Sequence, residues 1–469
     1  MAQAHTGALA GSRAVVEAVF RQWGIIQVDT IEELLDSAAL LARHGWPSGR
    51  RTAVIAPSGG ACGLISDLAE GTRIEIPDFT PQTKRVLANT LPEFGTPQNP
   101  LDTTGYVVLD STLLSRTAEA AAKDANVDCL LIVSDPPREP GPLAERSEER
   151  LRLLAETIGK IEKYCVVSTS VSGELTSYAR ELASRYNLHF GNGLALTIRA
   201  LDHAMGYAEI RERYLRRRGG KERSGAAVDP SAGTRRALPG ELNWIVERRG
   251  VLTEWESKQV LRTYGIRTPK EGLAKDEIEA VAIAREIGYP VVLKVQSADL
   301  PHKTEAGGVR LNLYHDEDVR QAYHELIEAV QASKPTVQID GILVARQVQA
   351  TAELIVGMVT DPQFGPVVLV GSGGVLAEIV RDFTMRLPPI DHEEAREMLQ
   401  EIRAHAVLQG VRNRPPGDID ATADCLVQLG VLALDLADYV QEVDINPLLV
   451  LPRGQGVVAA DALMVLKSN

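Results

Sequence analysis

Aromatic side chains are scarce in this chain: Trp, Tyr and Phe make up 4% of its 469 residues, so Leu, Val, Ile and Ala must fill its cores. Cysteine is scarcer still. Cys62, Cys129, Cys165 and Cys425 lie far apart with no CxxC pair, so neither a disulfide framework nor a zinc site is suggested. No apolar run approaches the ~20 residues a membrane-spanning helix needs. The start of the chain lacks the basic segment and apolar core of a signal peptide. Positive charge is in deficit, 50 Lys and Arg against 63 Asp and Glu, a net −13. That balance argues against wholesale electrostatic binding to nucleic acid or to an anionic membrane. What is present, 44% hydrophobic and 24% charged residues, describes a reduced, cytoplasmic, enzyme-sized chain. Its length implies about two to four domains.

The pattern along the chain divides it. Residues 1–47 carry a small-residue start, "AQAHTGALAG", and helical periodicity in "RAVVEAVFRQWGI" and "TIEELLDSAALLARHG". Residues 48–212 alternate buried apolar runs ("TAVIA", "VDCLLIVSD", "KYCVVSTS") with amphipathic helices, which predicts βαβ units and a doubly wound parallel sheet. Residues 213–238 are rich in Gly, Ser, Pro and Arg without apolar periodicity and read as a solvated linker. Residues 239–469 restart with "LTEWESKQVLRTYGIRTP", where Thr253 and Glu256 have capping-box spacing before a helix that Gly265 and Pro269 end.

In this last block, the apolar strand Val291 to Val295 carries one lysine, Lys294, ahead of a polar loop that ends in Gly307-Gly308. Glycines let backbone N–H groups approach an anion, and a neighbouring lysine supplies a point charge, a pairing that suits a polyphosphate. A plain hairpin with a snorkelling lysine has the same pattern. "EVDINPLLV" spaces Asp444 and Asn446 two apart on a strand, hence on one face, and "VVAADALMV" places Asp461 on the adjacent strand. These are hard oxygen ligands suited to Mg²⁺, although a buried acid can equally satisfy a turn. Between them, "ILVA" with Val344 offers a strand to border an adenine, and Glu353 follows at a distance that suits a ribose hydroxyl. Gly371, Gly373 and Gly374 form a tight turn that either a ligand or a hairpin would require.

Lysine strand, glycine loop, adenine strand, acid and closing "DINP…D" occur in the order of the ATP-grasp fold. In detail, "PVVLKVQSADLPHKTEAGGVRLNL" and "DPQFGPVVLVGSGGVLAEIVRDFTMRLPP" resemble the ADP-forming acyl-CoA synthetases, relatives of succinyl-CoA synthetase. The resemblance implies an α/β architecture: a remnant of a first ligase domain, a flavodoxin-like ligase domain and a two-part ATP-grasp domain. It implies ATP/ADP and Mg²⁺ as cofactors, with Lys294, Gly307 and Gly308 at the phosphates, Val344 at the base, Glu353 at the ribose, and Asn446 and Asp461 as metal ligands. At Ala345, where many relatives carry Gln or Glu beside the adenine, this chain departs from the pattern.

The same resemblance makes His302, in "LPHKTEAGG", a shuttle for the γ-phosphoryl group, with Asp444 steadying its imidazolium. His5, in "HTG", matches the active-site phosphohistidine of the first ligase domain. "PSGGACGLISDL" matches a glycine turn opening a helix, and "STSVSGELTSYARELA" is expected to begin a helix at Ser172-Gly173 that favours a phosphoryl group. The implied activity is ATP-dependent joining of a small carboxylic acid to CoA through phosphohistidine and acyl phosphate. The family's Rossmann-type CoA-binding domain has no counterpart here, which leaves three readings open: a separate chain carrying it, a truncated product, or a chain with changed function; an oligomer is expected. A carboxylate–amine ligase and a nucleotide-binding regulatory remnant are the alternatives.

Overall fold

The computed structural model describes residues 12–223, 238–300, 303, 306–373, 382–411 and 414–468. His5, His302 and Gly374 lie outside the described residues. The described parts of Met1–Gln22 and Val228–Asn469 form one compact unit, and Trp23–Ala227 forms another.

In the second unit, β1 (Thr52–Ala56), β2 (Leu101–Asp102), β3 (Cys129–Val133), β4 (Tyr164–Ser168) and β5 (Phe190–Gly191) make a five-stranded sheet. All pairs are parallel and the order is β2-β1-β3-β4-β5, the doubly wound, flavodoxin-like order. Its central strands β1, β3 and β4 are mostly apolar because helices cover both faces. Ala53, Ile55, Leu130, Ile132 and Val167 enter one core, and Val54, Ala56, Leu131, Val133 and Val166 enter the other, as the two-residue period of a strand requires. The helix Leu194–Arg223 runs eleven residues into the stretch read as linker. Its Arg- and Lys-rich end, "RERYLRRRGGKER", is built mostly of good helix formers, which lets the helix continue past Glu212.

The first unit holds two antiparallel sheets, in keeping with a two-part ATP-grasp domain. The smaller has the order β7 (Glu271–Ala274), β10 (Gly341–Arg346), β8 (Val291–Gln296), β9 (Val309–Leu313). Helices Glu277–Ile287 and Asp316–Ser333 cover one face. The larger runs β13 (Phe383–Arg386), β12 (Gly365–Ser372), β11 (Ala352–Asp361), β14 (Val440–Val450), β16 (Leu463–Leu466), β6 (Gly250–Leu252), with β15 (Val457–Ala459) paired to β14. Along β11, Leu354, Val356 and Met358 face the main core with helices Glu254–Thr263, His392–Glu401 and Ile419–Asp435. Ile355 faces the other way, onto helix Ser12–Trp23 through Val15, Ala18 and Val19.

That docking divides the first block. Gln22 clamps Leu387 in both directions, its amide donating to the carbonyl (2.9 Å) and accepting from the N–H (2.8 Å). Helix Ile31–His44, by contrast, packs Leu40 into the core of the parallel sheet. Gly373, expected in a tight turn, sits where its N–H bonds the Glu353 carbonyl and an added Cβ would lie 2.6 Å from that oxygen. Close backbone approach therefore requires glycine there.

Helix Glu254–Thr263 carries the expected capping box: Thr253 Oγ1 accepts from the Glu256 N–H (3.2 Å) and Glu256 Oε2 accepts from the Thr253 N–H (3.0 Å). Removing that hydroxyl is expected to cost about 1 kcal/mol. Thr253→Ala should therefore lower the melting temperature by about 2–4 °C, read by differential scanning calorimetry on the full chain. An unchanged melting temperature would show that the cap does not limit stability.

Candidate functional site

The strand β8 shows why one lysine can sit in an apolar run. Val291, Leu293 and Val295 turn into the core of the small sheet, so Val292, Lys294 and Gln296 share the opposite face. On that face Gln296 Oε1 accepts the Trp255 N–H at 3.0 Å, fixing the start of helix Glu254–Thr263 beside the strand. Topology brings the acids to the same place. β6 pairs antiparallel with β16, Leu252 opposite Met464, so the residues that follow β6 lie beside those that precede β16. Glu254 and Asp461 meet there.

Glu254 is fully buried and collects three ammonium groups. Lys258 donates to its Oε1 at 2.6 Å, Lys294 to the same oxygen at 2.8 Å, and Lys303 to Oε2 at 2.5 Å. Lys258, itself wholly buried, also donates to Glu271 Oε2 at 2.8 Å, and Glu271 pairs with Arg262. Lys294 further donates to Asp461 Oδ2 and to the Ala460 carbonyl, both at 2.9 Å. Lys303 lies 3.7 Å from Asp461 Oδ1. Burial by itself would raise the Glu254 carboxyl, but Lys294, Lys303 and Lys258 outweigh it and hold the group well below the usual carboxylate range. Burial likewise works against the charge on Lys294, yet Asp461 and Glu254 carry its ammonium above the ordinary lysine value.

A second acid behaves oppositely. Asp444 on β14 is buried and, among the described residues, its Oδ1 has no hydrogen-bond partner and no cation is among the groups that shift it. Burial, then the neighbouring Glu442 and Asp461 carboxylates, push it up to about 7. Among the described residues, no three or more His, Cys, Asp or Glu side chains group to hold a metal ion. The donors fit a Mg²⁺ ion all the same. An orphaned buried carboxyl repelled by a second carboxylate is relieved by a divalent cation, and the Asn446 amide nearby in sequence adds a neutral oxygen.

Other expected residues fall elsewhere. Asp461 lies in the three-residue break between β15 and β16 rather than on a strand. Pro447, on the facing stretch of β14, has no N–H to continue a ladder. The register of β14 with β11 shifts between Ile445 and Leu448, yet Val443, Ile445 and Leu448 all enter the main core, so Asp444 and Asn446 alternate with core-facing residues, as their spacing implies. Val344 is buried in the small core, and β10 is flanked by β7 and β8 with Val344 opposite Gly272 and Leu293. Neither its side chain nor its ladder groups are free for a base. Ala345 is also buried, and Glu353 is exposed on β11 opposite Leu449.

Gly307 has φ +70, and Gly308 donates its N–H to the Lys303 carbonyl at 2.7 Å, where an added Cβ would sit 3.0 Å from that oxygen. The glycine pair thus sets the backbone of Lys303. Lys303, Glu254, Lys258 and Glu271 were not singled out by sequence reasoning. The available signal was the i, i+4 pair Glu254 and Lys258 on a stripe with Ser257 and Leu261, which is the buried face of the helix.

In the flavodoxin-like unit, the helix expected at Ser172-Gly173 begins instead at Ser177, because Thr176 caps it through the Ala179 N–H at 3.2 Å. Ser172 and Gly173 are held in a loop by Asn192, whose Oδ1 takes the Gly173 N–H at 2.7 Å. The glycine turn after β1 does open a helix, Gly59–Ala69, and its N-cap Ser58 makes no side-chain cap bond. A cavity of about 370 Å³ opens there, lined by Gly59, Cys62, Phe94, Asp102 and Thr104 among others.

Known proteins carry the same segments. Residues 243–466 match the ATP-grasp domain family and residues 1–41 the succinyl-CoA ligase like flavodoxin domain. The ADP-forming acetate–CoA ligase I of Archaeoglobus fulgidus is 34% identical over 99% of this chain and 64% of its own. The ADP-forming 4-hydroxybutyrate–CoA ligase of Nitrosopumilus maritimus is 30% identical over 97% of this chain and 62% of its own. The chain thus spans less than two thirds of either relative. The beta subunit of the ADP-forming acetate–CoA ligase II of Pyrococcus furiosus is 40% identical over 49% of this chain and 100% of that subunit. With that subunit matched from end to end and its own length matched almost throughout, the chain belongs to the ADP-forming acid–CoA ligase family.

Proposed function

We propose that this chain is the ATP-grasp and second ligase portion of an ADP-forming acid–CoA ligase. The observation that carries the reading is the convergence of two buried ammonium groups, Lys294 and Lys303, on the half-exposed Asp461, beside the orphaned carboxyl of Asp444. Cations that outlast burial suit a polyphosphate, and a carboxyl raised by a neighbouring carboxylate suits Mg²⁺. Asp461, Asn446 and Asp444 would hold the metal, which when bound neutralises phosphate charge.

The chain's own residues then divide the work. Lys294 and Lys303 neutralise and orient the phosphates of ATP. The neutral imidazole of His302 attacks the γ-phosphorus, the bond to the β,γ-bridging oxygen breaks, and ADP departs. Asp444 steadies the imidazolium. His5 receives the phosphoryl group, and a carboxylate of the acid substrate takes it as an acyl phosphate. The thiolate of CoA attacks the acyl carbon, inorganic phosphate leaves, and acyl-CoA is formed.

In the flavodoxin-like unit, the uncapped start of helix Gly59–Ala69 and its cavity support a place for the carboxylate or phosphoryl group, a role for which Gly173, with its N–H bonded to Asn192, is less suited. Acetate and 4-hydroxybutyrate are the acids of two relatives, so the acid of this chain stays open. The Pyrococcus furiosus relative is a separate beta subunit, which supports a CoA-binding part supplied within an oligomer. Among the described residues no helix is long and apolar enough to cross a membrane, and we place the enzyme in the cytoplasm.

Incubation with γ-labelled ATP and Mg²⁺ should leave acid-labile, base-stable label on the full chain, and His302→Ala should abolish it. Label that persists in His302→Ala, or ATP binding without any label, would overturn the shuttle.

A second expectation concerns Asp444 in EDTA. Its folded value of about 7 exceeds the ordinary 3.8, so the folded state binds the proton more tightly. The stability this group contributes is complete below pH 3.8 and is lost as pH rises towards 7. Asp444→Asn should therefore raise the metal-free melting temperature at pH 8 by about 5 °C, with a smaller gain at pH 5. It should also remove most of the stabilisation that Mg²⁺ gives the parent. A variant that melts no higher than the parent at pH 8 would show that the carboxyl finds a partner the structure lacks.

A further inference from the structure

Resting on the nucleotide reading of the site, we propose that Glu254 is its positioning residue: the buried carboxylate that aims Lys294 and Lys303 at the polyphosphate. The two lysines share two acidic partners of different kinds. Glu254 is wholly buried, whereas the Asp461 side chain is 33% exposed. All three protons of the Lys294 ammonium are committed, to Glu254, Asp461 and the Ala460 carbonyl. An incoming phosphate must therefore displace one partner, and the accessible one is Asp461. Glu254 is the partner that stays.

The carboxylate is itself prevented from following its lysines. Lys258 holds Oε1 from within the protein and is anchored in turn by Glu271, at 2.8 Å, on β7. The backbone of Glu254 is set from a third direction by the capping box at Thr253 and by the bond from the adjacent Trp255 N–H to Gln296. On the other side, the Gly308 N–H fixes the Lys303 carbonyl, so Lys303 is held at its backbone as well as at its ammonium. A lysine is a point charge on a four-carbon stem that loses much rotamer freedom when ordered. Here the ordering is complete before any ligand arrives, so it need not be repeated on binding.

Charge counting gives the same direction. Lys258, Arg262, Lys294 and Lys303 carry four positive charges, and Glu254, Glu271 and Asp461 carry three negative ones, a net of +1. If Asp461 turns to a metal, the balance facing the ligand becomes +2 with the lysines still held by Glu254.

The test is equilibrium binding of ADP, inorganic tripolyphosphate and adenosine, by isothermal titration calorimetry in Mg²⁺ on the full chain. Glu254→Gln should weaken ADP and tripolyphosphate at least tenfold and leave adenosine within twofold, a split that a merely structural role would not produce. Glu254→Asp keeps the charge, and hence the fold, but is one methylene too short to reach both lysines; it should weaken the same two ligands about fivefold. If Glu254→Gln does not fold, Glu254→Asp carries the test alone. Folded variants that bind ADP and tripolyphosphate within twofold of the parent would overturn the assignment. So would loss of adenosine in equal proportion. A parent chain that binds neither ADP nor tripolyphosphate would instead overturn the nucleotide reading, and this inference with it.

Discussion

The ion cluster around Glu254 is the constraint on which the architecture around Lys294 depends. A carboxylate removed from water is costly unless it is paired and its remaining lone pairs are bonded. Glu254 meets that condition with three ammonium groups drawn from three places in the chain: its own helix, β8, and the loop before β9. The cluster therefore does more than place charge. It ties helix Glu254–Thr263, the small sheet and, through Asp461, the large sheet into one arrangement. Removing one partner from a buried set of this kind typically costs 3–5 kcal/mol, because the others are left uncompensated. The same interdependence that makes it expensive makes it specific, since each strand register has to be right for the charges to meet.

How much of this was legible follows from the range of each interaction. The parallel sheet was readable because its central strands are buried on both faces and therefore mostly apolar, a local pattern. The capping box at Thr253 was readable because it spans four residues. Lys294 stood out because a lone cation in an apolar strand asks for a partner. That partner, Glu254, lies 40 residues upstream at a helix start, where an acid is ordinary and attracts no notice. The i, i+4 pair of Glu254 and Lys258 on the apolar stripe was the local clue to it. Val344 was misplaced for a related reason. An apolar strand looks the same at an edge, with free backbone groups, as at the centre, and only the flanking of β10 by β7 and β8 decides.

The start of the chain makes the complementary point. Helices Ser12–Trp23 and Ile31–His44 are adjacent in sequence and match one domain family between residues 1 and 41. Yet each buries its apolar face in a different unit. Periodicity predicted both helices and their faces but not which core each face would enter. That choice rests on contacts such as the Gln22 clamp on Leu387 and the buried Arg386 beneath it, which pairs with Glu394 and Glu401. A helix that sequence assigns to a ligase domain is thereby made part of the unit that carries Lys294.

Two buried carboxyls, each linked to Asp461, have been given opposite environments, and the difference divides their chemistry. Glu254 is over-compensated by fixed cations, so it stays ionised and cannot leave its post. Asp444 has no compensating cation among the described residues, lies beside other acids, and is lifted towards neutrality. Neighbouring acids whose environments push them apart mark a division of roles. A permanently ionised group suits holding other groups in place, whereas a group poised near neutral pH suits exchange, of a proton or of a cation. The orphaned oxygen of Asp444 is otherwise a defect that a core would not be expected to keep. Its retention next to Asp461, whose lysine partners are secured from behind by Glu254, is explained if Asp461 must be free to change partners and Asp444 waits for the cation that changes them.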